Sequence, residues 1–417
     1  KTWINSIYIS LFQLFRKQWF VHAESYKFCK RDSKKLGHIL SSVYITWFIG
    51  NGRCCRERIH SKLFRYRLTI VSSHECMSMS SEQSCSRLKP NTCSMPEEGL
   101  VTSGSEDEVD PSESKQLTKE KDCDSHGEIG VFDPDVTEID LNHQRISKIE
   151  NFDHLIKLEF LGLRWNLVKK IENLNSLTLL KELELYDNQI TKIENLEALV
   201  NLEVLDISFN RIRLIEGLET LHKLKKLFLC SNKISKIENL DHLVTLEMLE
   251  LGDNKIRVIE NISTLINLKS LFLGKNKISK LQNLGSLTNL EVLSAQSNRL
   301  LTIEGLDELS KLKELYLSHN GIQEINNLDK VTALETLDLA GNRICKIENI
   351  GSLVNLEEFW MNDNKVSDWS DLDKLKDFSK LQTVYFERNP IQSDAQYRKK
   401  IMLALPQIGK IDATLCR

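Results

Sequence analysis

The chain lacks the short signatures that announce catalysis. Its 417 residues hold no phosphate-cradling Walker loop, no GxGxxG, no GxSxG nucleophile turn and no HExxH zinc helix. There is no CxxC pair either, and the ten cysteines are scattered: seven precede residue 124, and Cys230, Cys345 and Cys416 stand far apart. Neither a disulfide framework nor a zinc site is suggested, and reduced thiols fit this spacing best. Long apolar runs are missing. Trp3 to Phe15 is interrupted by Asn5, Ser6, Ser10 and Gln13, and Ile39 to Ile49 covers only 11 residues. Both fall short of the ~18 to 20 needed to cross a bilayer. An excess of one charge is absent too: 56 Lys and Arg face 59 Asp and Glu, a net charge of -3. That balance gives no reason to expect nucleic acid or membrane as a partner. The histidines are scattered and no carboxylate pair stands out as acid and base, so no enzyme, metal or cofactor is expected.

What is present falls into segments. Residues 1–76 carry 14 Lys or Arg against 4 Asp or Glu and three of the six tryptophans. The first methionine is Met77, so this stretch is expected to be translated upstream or intronic sequence. The competing reading is a basic membrane-associated or targeting extension. Residues 77–135 are rich in Ser, Glu and Asp and poor in large apolar side chains, the composition of a disordered acidic arm. Within it Ser103 and Ser105 each have a glutamate three residues on, Glu106 and Glu108, which makes them candidate sites for an acidophilic kinase.

From residue 139 one pattern recurs, L-x-x-L-x-L-x-x-N-x-I-x-x-I-x-x-L. Its polar position falls at Gln144 and then at Asn166, Asn188, Asn210, Asn232, Asn254, Asn276, Asn298, Asn320, Asn342 and Asn364, always 22 residues apart. Asn389 follows after a three-residue insertion. Apolar residues two apart, such as Leu205 and Ile207, have the period of a short strand with one face in the core. Asp206 and Ser208 then point out. The asparagine at the following turn satisfies backbone groups left without partners. Beyond it Ile190, Ile193, Leu196, Leu199 and Leu202 recur every third residue, a step suited to 3₁₀-like turns. One such unit cannot bury its apolar side alone, so units must stack. The expectation is an α/β leucine-rich-repeat solenoid of about twelve 22-residue repeats over residues 136–391. It has a parallel concave sheet and 3₁₀-like convex segments. Residues 392–417, with apolar spacing through Ile401, Leu405 and Ile408, form a helical cap on the last repeat.

Outward strand positions form columns across the concave face, the natural binding surface of a solenoid. The column between the two strand leucines reads Asp140, Gly162, Glu184, Asp206, Phe228, Glu250, Phe272, Ser294, Tyr316, Asp338, Trp360 and Tyr385. Five are acidic, five aromatic and none basic, whereas a merely solvated face mixes both signs. Rings serve as anchors and carboxylates steer a basic partner. Glu358 faces the same way as Trp360. In the Lys-Ile-Glu-Asn runs at Lys148, Lys170, Lys192, Lys236 and Lys346, the lysines and glutamates are expected only to keep the convex edge soluble.

The 22-residue unit with Ile-Glu-Asn-Leu after the turn resembles the leucine-rich-repeat regulatory subunits of protein phosphatase 1. So do Leu271-Phe-Leu-Gly-Lys-Asn-Lys-Ile278, Leu315-Tyr-Leu-Ser-His-Asn-Gly-Ile322, Phe359-Trp-Met-Asn-Asp-Asn364 and Met402-Leu-Ala-Leu-Pro406. The resemblance covers roughly residues 135 to 417. It implies a non-catalytic subunit that grips the phosphatase catalytic subunit in its concave face and controls its activity, maturation or location. It also implies a further phosphatase inhibitor in a ternary complex, residence in nucleus and cytoplasm, and a part in the cell cycle. The contact residues it carries over are Asp206, Phe228, Glu250, Phe272, Asp338, Glu358, Trp360 and Tyr385, with Glu184 and Tyr316 as secondary contacts. A scaffold for a different partner, such as a cytoskeletal or ciliary protein, would share the same repeats.

Overall fold

The computed structural model describes Gly130 and residues 132–416. The readings of residues 1–76 and of Ser103 and Ser105 lie outside the described residues. Twelve three-residue strands run from β1 (Glu138–Asp140) to β12 (Thr383–Tyr385) in one sheet, in sequence order and all parallel. Register is kept repeat by repeat: Leu183 of β3 (Glu182–Glu184) pairs with Leu205 of β4 (Val204–Asp206), and so along the array. Between β11 (Glu358–Trp360) and β12 the three extra residues are absorbed by a 3₁₀ helix, Trp369–Leu375. Two short strands close the sheet, β13 (Lys410–Ile411) parallel to β12 and β14 (Thr414–Leu415) antiparallel to β13.

The three-residue step after the asparagine is explained by hydrogen bonds. Leu199 N–H donates to the Leu196 carbonyl at 2.9 Å and Leu202 N–H to the Leu199 carbonyl at 3.0 Å. Each return is thus a pair of i→i+3 turns, and these put every third apolar side chain into the core. Leu196, Leu199, Leu202, Leu205 and Ile207 are all fully buried. At the far end helix α1 (Tyr397–Ala404) buries Ile401, and Leu405, Ile408 and Ile411 continue the cover. The helix stops there because Pro406 disfavours helical backbone at Leu405, which sits at φ -130. Asp412 Oδ1 accepts the N–H groups of Phe386 and Glu387 at 2.8 and 3.0 Å, and Tyr397 Oη donates to its other oxygen at 2.7 Å. At the opposite end Phe132 stacks on Phe152, with ring centroids 6.5 Å apart.

The expected asparagine ladder is present. Asn232 Nδ2 donates to the Ile207 and Leu229 carbonyls at 3.0 and 3.1 Å, while its Oδ1 accepts the Ile212 N–H at 3.0 Å. Gln144 stays outside it, exposed, with its amide turned to the Asn142 carbonyl.

A second ladder runs along the asparagines that close the Lys-Ile-Glu-Asn runs and along their counterparts in other repeats. Asn173, Asn195, Asn239, Asn261 and Asn283 all have φ between 55 and 59. Each donates its side-chain amide to the carbonyl of a residue 24 earlier, at 2.7 Å. The asparagine of the motif therefore ties repeats together, and only the Lys and Glu around it serve the solvent edge. Where that position is not asparagine it is Gly217 or Gly305, both at φ +68. Asn and Gly are the residues that tolerate this backbone. A Cβ on Gly217 would lie 2.5 Å from the Ile193 carbonyl oxygen. Gly217→Ala is expected to cost about 1–2 kcal/mol in urea unfolding. Gly351→Ala, where a Cβ meets nothing within 4 Å, should leave the curve unmoved.

Candidate functional site

The parallel register places the expected column as a true row of side chains on the face opposite the core. Phe228, Glu250 and Phe272 are direct neighbours on β5 (Lys226–Phe228), β6 (Met248–Glu250) and β7 (Ser270–Phe272). The row continues through Tyr316 and Asp338 to Trp360 and Tyr385.

The side chains are less open to water than strand alternation alone predicts. Glu184, Glu250 and Asp338 are 8%, 3% and 5% exposed, and Ser208, expected to point out, is buried. Neighbouring strands ~4.8 Å apart hold each column in mutual contact, and the carboxylates lie back on the sheet. Asp206 accepts the Ser208 N–H, Glu250 the Gly252 N–H and Asp338 the Ala340 N–H, each at 3.0 Å. A Cβ on Gly252 would sit 2.6 Å from Glu250 Oε1, so the carboxylate lies over the space that this glycine leaves. The five rings of the column are half-buried.

Toward the C-terminal end rings and carboxylates merge. Tyr316 Oη donates to Glu314 at 2.7 Å, and Trp360 Nε1 donates to Glu358 at 3.0 Å. The Trp360 ring stands edge-on to Tyr316 at 6.2 Å and to Tyr385 at 5.6 Å, and Lys410 Nζ lies 5.6 Å from the Tyr385 centroid. The sheet thus assembles three rings and the carboxylates of Glu314, Asp338 and Glu358 into one nest. Such a surface suits a cationic side chain, because the π-faces and the carboxylates both favour positive charge. Glu314 was missing from the sequence reading; it lies one column over.

Toward the N-terminal end the arrangement differs. Arg164 pairs with Glu184, stands 3.9 Å from Asp206 and lies 6.0 Å from the Tyr186 ring. An internal cation therefore already occupies the acidic positions Glu184 and Asp206. Beside it runs an unanticipated rim of rings. His143 stacks on Trp165 at 4.3 Å, Trp165 meets Tyr186 at 5.5 Å, and Tyr186 meets Phe209 at 4.8 Å.

Burial sets the charge of this face. It pushes the Glu184 carboxyl up to about 7, helped by Glu182 and Asp206 and opposed by Arg164. It pushes Asp338 up to about 6 against the hydrogen bonds from Ser318 and Ala340, and raises Asp206 as well. A raised carboxyl favours the protonated folded state, so these groups subtract stability as pH rises through the folded values.

Comparison with known proteins agrees with the architecture. A family model described as "Leucine-rich repeat" matches residues 245–339 and 310–415, and one described as "Leucine Rich repeats (2 copies)" matches 178–220 and 200–242. The protein phosphatase 1 regulatory subunit 7 of Xenopus tropicalis is 73% identical over 37 residues, 9% of this chain and 11% of that protein. That of Danio rerio is 63% identical over 43 residues, 10% of this chain and 12% of the relative. The protein phosphatase 1 regulatory subunit SDS22 of Schizosaccharomyces pombe is 54% identical over 43 residues, 10% and 13% of the two chains. The matched stretches thus span only 11% to 13% of these relatives' own length. Among solved structures, an internalin of Listeria monocytogenes superposes with a TM-score of 0.56 at 24% identity, covering 66% of this chain and 86% of its own. A Leptospira interrogans leucine-rich-repeat protein gives 0.54 at 22%, covering 66% and 84%. These two likenesses concern the fold alone. Fold, repeat and family models converge: the chain is a leucine-rich-repeat protein, similar over a short stretch to proteins named as regulatory subunits of protein phosphatase 1.

Proposed function

We propose that this chain is a non-catalytic regulatory subunit that binds the catalytic subunit of protein phosphatase 1 through its concave face. Binding would control the enzyme's activity, maturation or location in nucleus and cytoplasm. The observation that carries the reading is the nest of Tyr316, Trp360 and Tyr385 with Glu314, Asp338 and Glu358. It joins three half-buried rings to three carboxylates on the strand face, and it adjoins the row of Phe228, Glu250 and Phe272. The short regions of high identity to named phosphatase regulatory subunits supply the partner. A further phosphatase inhibitor could share the complex without using this face.

The direct test is titration of purified catalytic subunit with the full chain, followed by phosphatase assay of the complex. Saturable 1:1 heat with a changed rate supports the proposal, and absence of heat removes it. The reading also sets a pH dependence. Glu184 and Asp338 lose charge as pH falls through about 7 and about 6, so attraction for a basic partner weakens toward acid. Affinity is expected to fall severalfold from about pH 7.5 to about pH 5.5. Glu184→Gln should flatten the upper part of that profile; an identical profile would deny the carboxyl its part.

A further inference from the structure

Among the described residues the solenoid pairs many of the charges along its edges, but a regular line of cations carries no ion pair. Before the strands, Lys181, Lys225 and Lys313 reach Glu159, Glu203 and Glu291 one repeat back at 2.7, 2.8 and 2.8 Å. On the return segments Lys148, Lys192 and Lys236 meet Glu150, Glu194 and Glu238 at 3.0, 3.5 and 3.1 Å.

The residue that follows each ladder asparagine behaves differently. In five consecutive repeats it is Arg211, Lys233, Lys255, Lys277 and Arg299. Their backbone N–H groups donate to the Ile190, Ile212, Ile234, Ile256 and Ile278 carbonyls of the preceding repeat at 2.7 to 2.8 Å. These bonds fix the cations in register, one per repeat, at a step of ~4.8 Å. Arg213 and Arg257 stand two residues on, across the buried Ile212 and Ile256. All are exposed except Lys277, which is half-buried. Among the described residues no carboxylate lies within ion-pair distance of any of the seven. A folded surface gains nothing by lining up like charges without counter-charges.

We infer that this rim is a docking surface for an extended acidic peptide segment of a partner protein, distinct from whatever fills the concave face. Width selects the occupant. On the return side the stripe is bounded by the Glu216, Glu238 and Glu260 positions, and on the strand side by Phe209, Ser231, Asp253, Lys275 and Ser297. A duplex or a lipid surface is broader than the stripe and would press its phosphates onto those carboxylates. A single extended chain fits on the ladder without reaching the acidic border. Five cations span ~19 Å, the length of about six extended residues, whose side chains alternate and offer carboxylates to the ladder from one side.

The test uses the full chain and a fluorescein-labelled decapeptide of alternating Glu and Ser, read by anisotropy at low salt. Binding is expected to weaken steeply as ionic strength rises toward 0.15 M, where the screening length is about 8 Å. Lys255→Glu with Lys277→Glu should reduce affinity by about tenfold or more, while Lys236→Glu, at a lysine already paired with Glu238, should change it less than about twofold. Unaltered circular dichroism and urea midpoint show that the variants fold. The alternating Gln and Ser peptide should not bind. Equal loss in the Lys236 variant, absence of binding, or tighter binding to single-stranded oligonucleotide or phosphatidylserine vesicles than to the acidic peptide would overturn the inference.

Discussion

Asn232→Ala is expected to lower stability by about 3 kcal/mol, a large share of what a single substitution removes from a folded chain. The reasoning starts from the strand. Three residues of β5 pair with neighbours, and then the chain must turn away from the sheet while still inside the protein. Asn232 is 8% exposed there, and its amide serves both sides of the turn. Nδ2 holds the Ile207 carbonyl of the preceding repeat at 3.0 Å, and Oδ1 holds the Ile212 N–H at 3.0 Å. Alanine leaves both backbone groups without the partner seen here, in a place where water enters only by opening the interface between repeats. Each lost partner costs about 1–3 kcal/mol when buried. Asn201→Ala is the control. Its Nδ2 makes a comparable bond to the Thr178 carbonyl at 2.8 Å, but on the exposed edge, where water takes over. Its expected cost is under about 0.5 kcal/mol. Urea midpoints for the two variants, with hydrogen exchange at the Ile212 amide, check the claim. Equal costs would mean that the ladder contributes nothing beyond an ordinary surface bond.

The same comparison shows how far sequence reaches. Everything local to one repeat was readable: Leu205 and Ile207 as strand residues facing in, the three-residue step from Ile190 to Leu202, and the asparagine at the turn. The cap was readable from Ile401, Leu405 and Ile408. The second ladder was readable in principle, because only Asn and Gly occupy the position shared by Asn195, Gly217 and Asn239, as left-handed backbone demands. What one repeat cannot show is contact between repeats. Arg164 reaches Glu184 across 20 residues and ties one repeat to the next. The aromatic rim evades column reading for a related reason. Trp165, Tyr186 and Phe209 belong to alternating columns, so the strict 22-residue step misses them, although their rings touch.

Trp360→Ala is expected to weaken binding to the phosphatase catalytic subunit by at least about 2 kcal/mol, near thirtyfold. The ring is half-buried before any partner arrives, held edge-on between Tyr316 and Tyr385 with its N–H on Glu358. A side chain fixed in this way loses little rotamer freedom on association, so more of its contact energy remains as affinity. Its loss also frees the Glu358 carboxylate and removes the wall between two tyrosines, which loosens the nest around it. Phe272→Ala should act in the same direction through the neighbouring row. Trp165→Ala is the discriminating control: it removes an equally large ring, 42% exposed, from the rim outside the column. Calorimetric titration of folded variants decides between them. Near wild-type affinity for the Trp360 variant, or an equal loss for Trp165, would move the contact off the nest of β9 (Glu314–Tyr316) to β12 and toward the N-terminal rim.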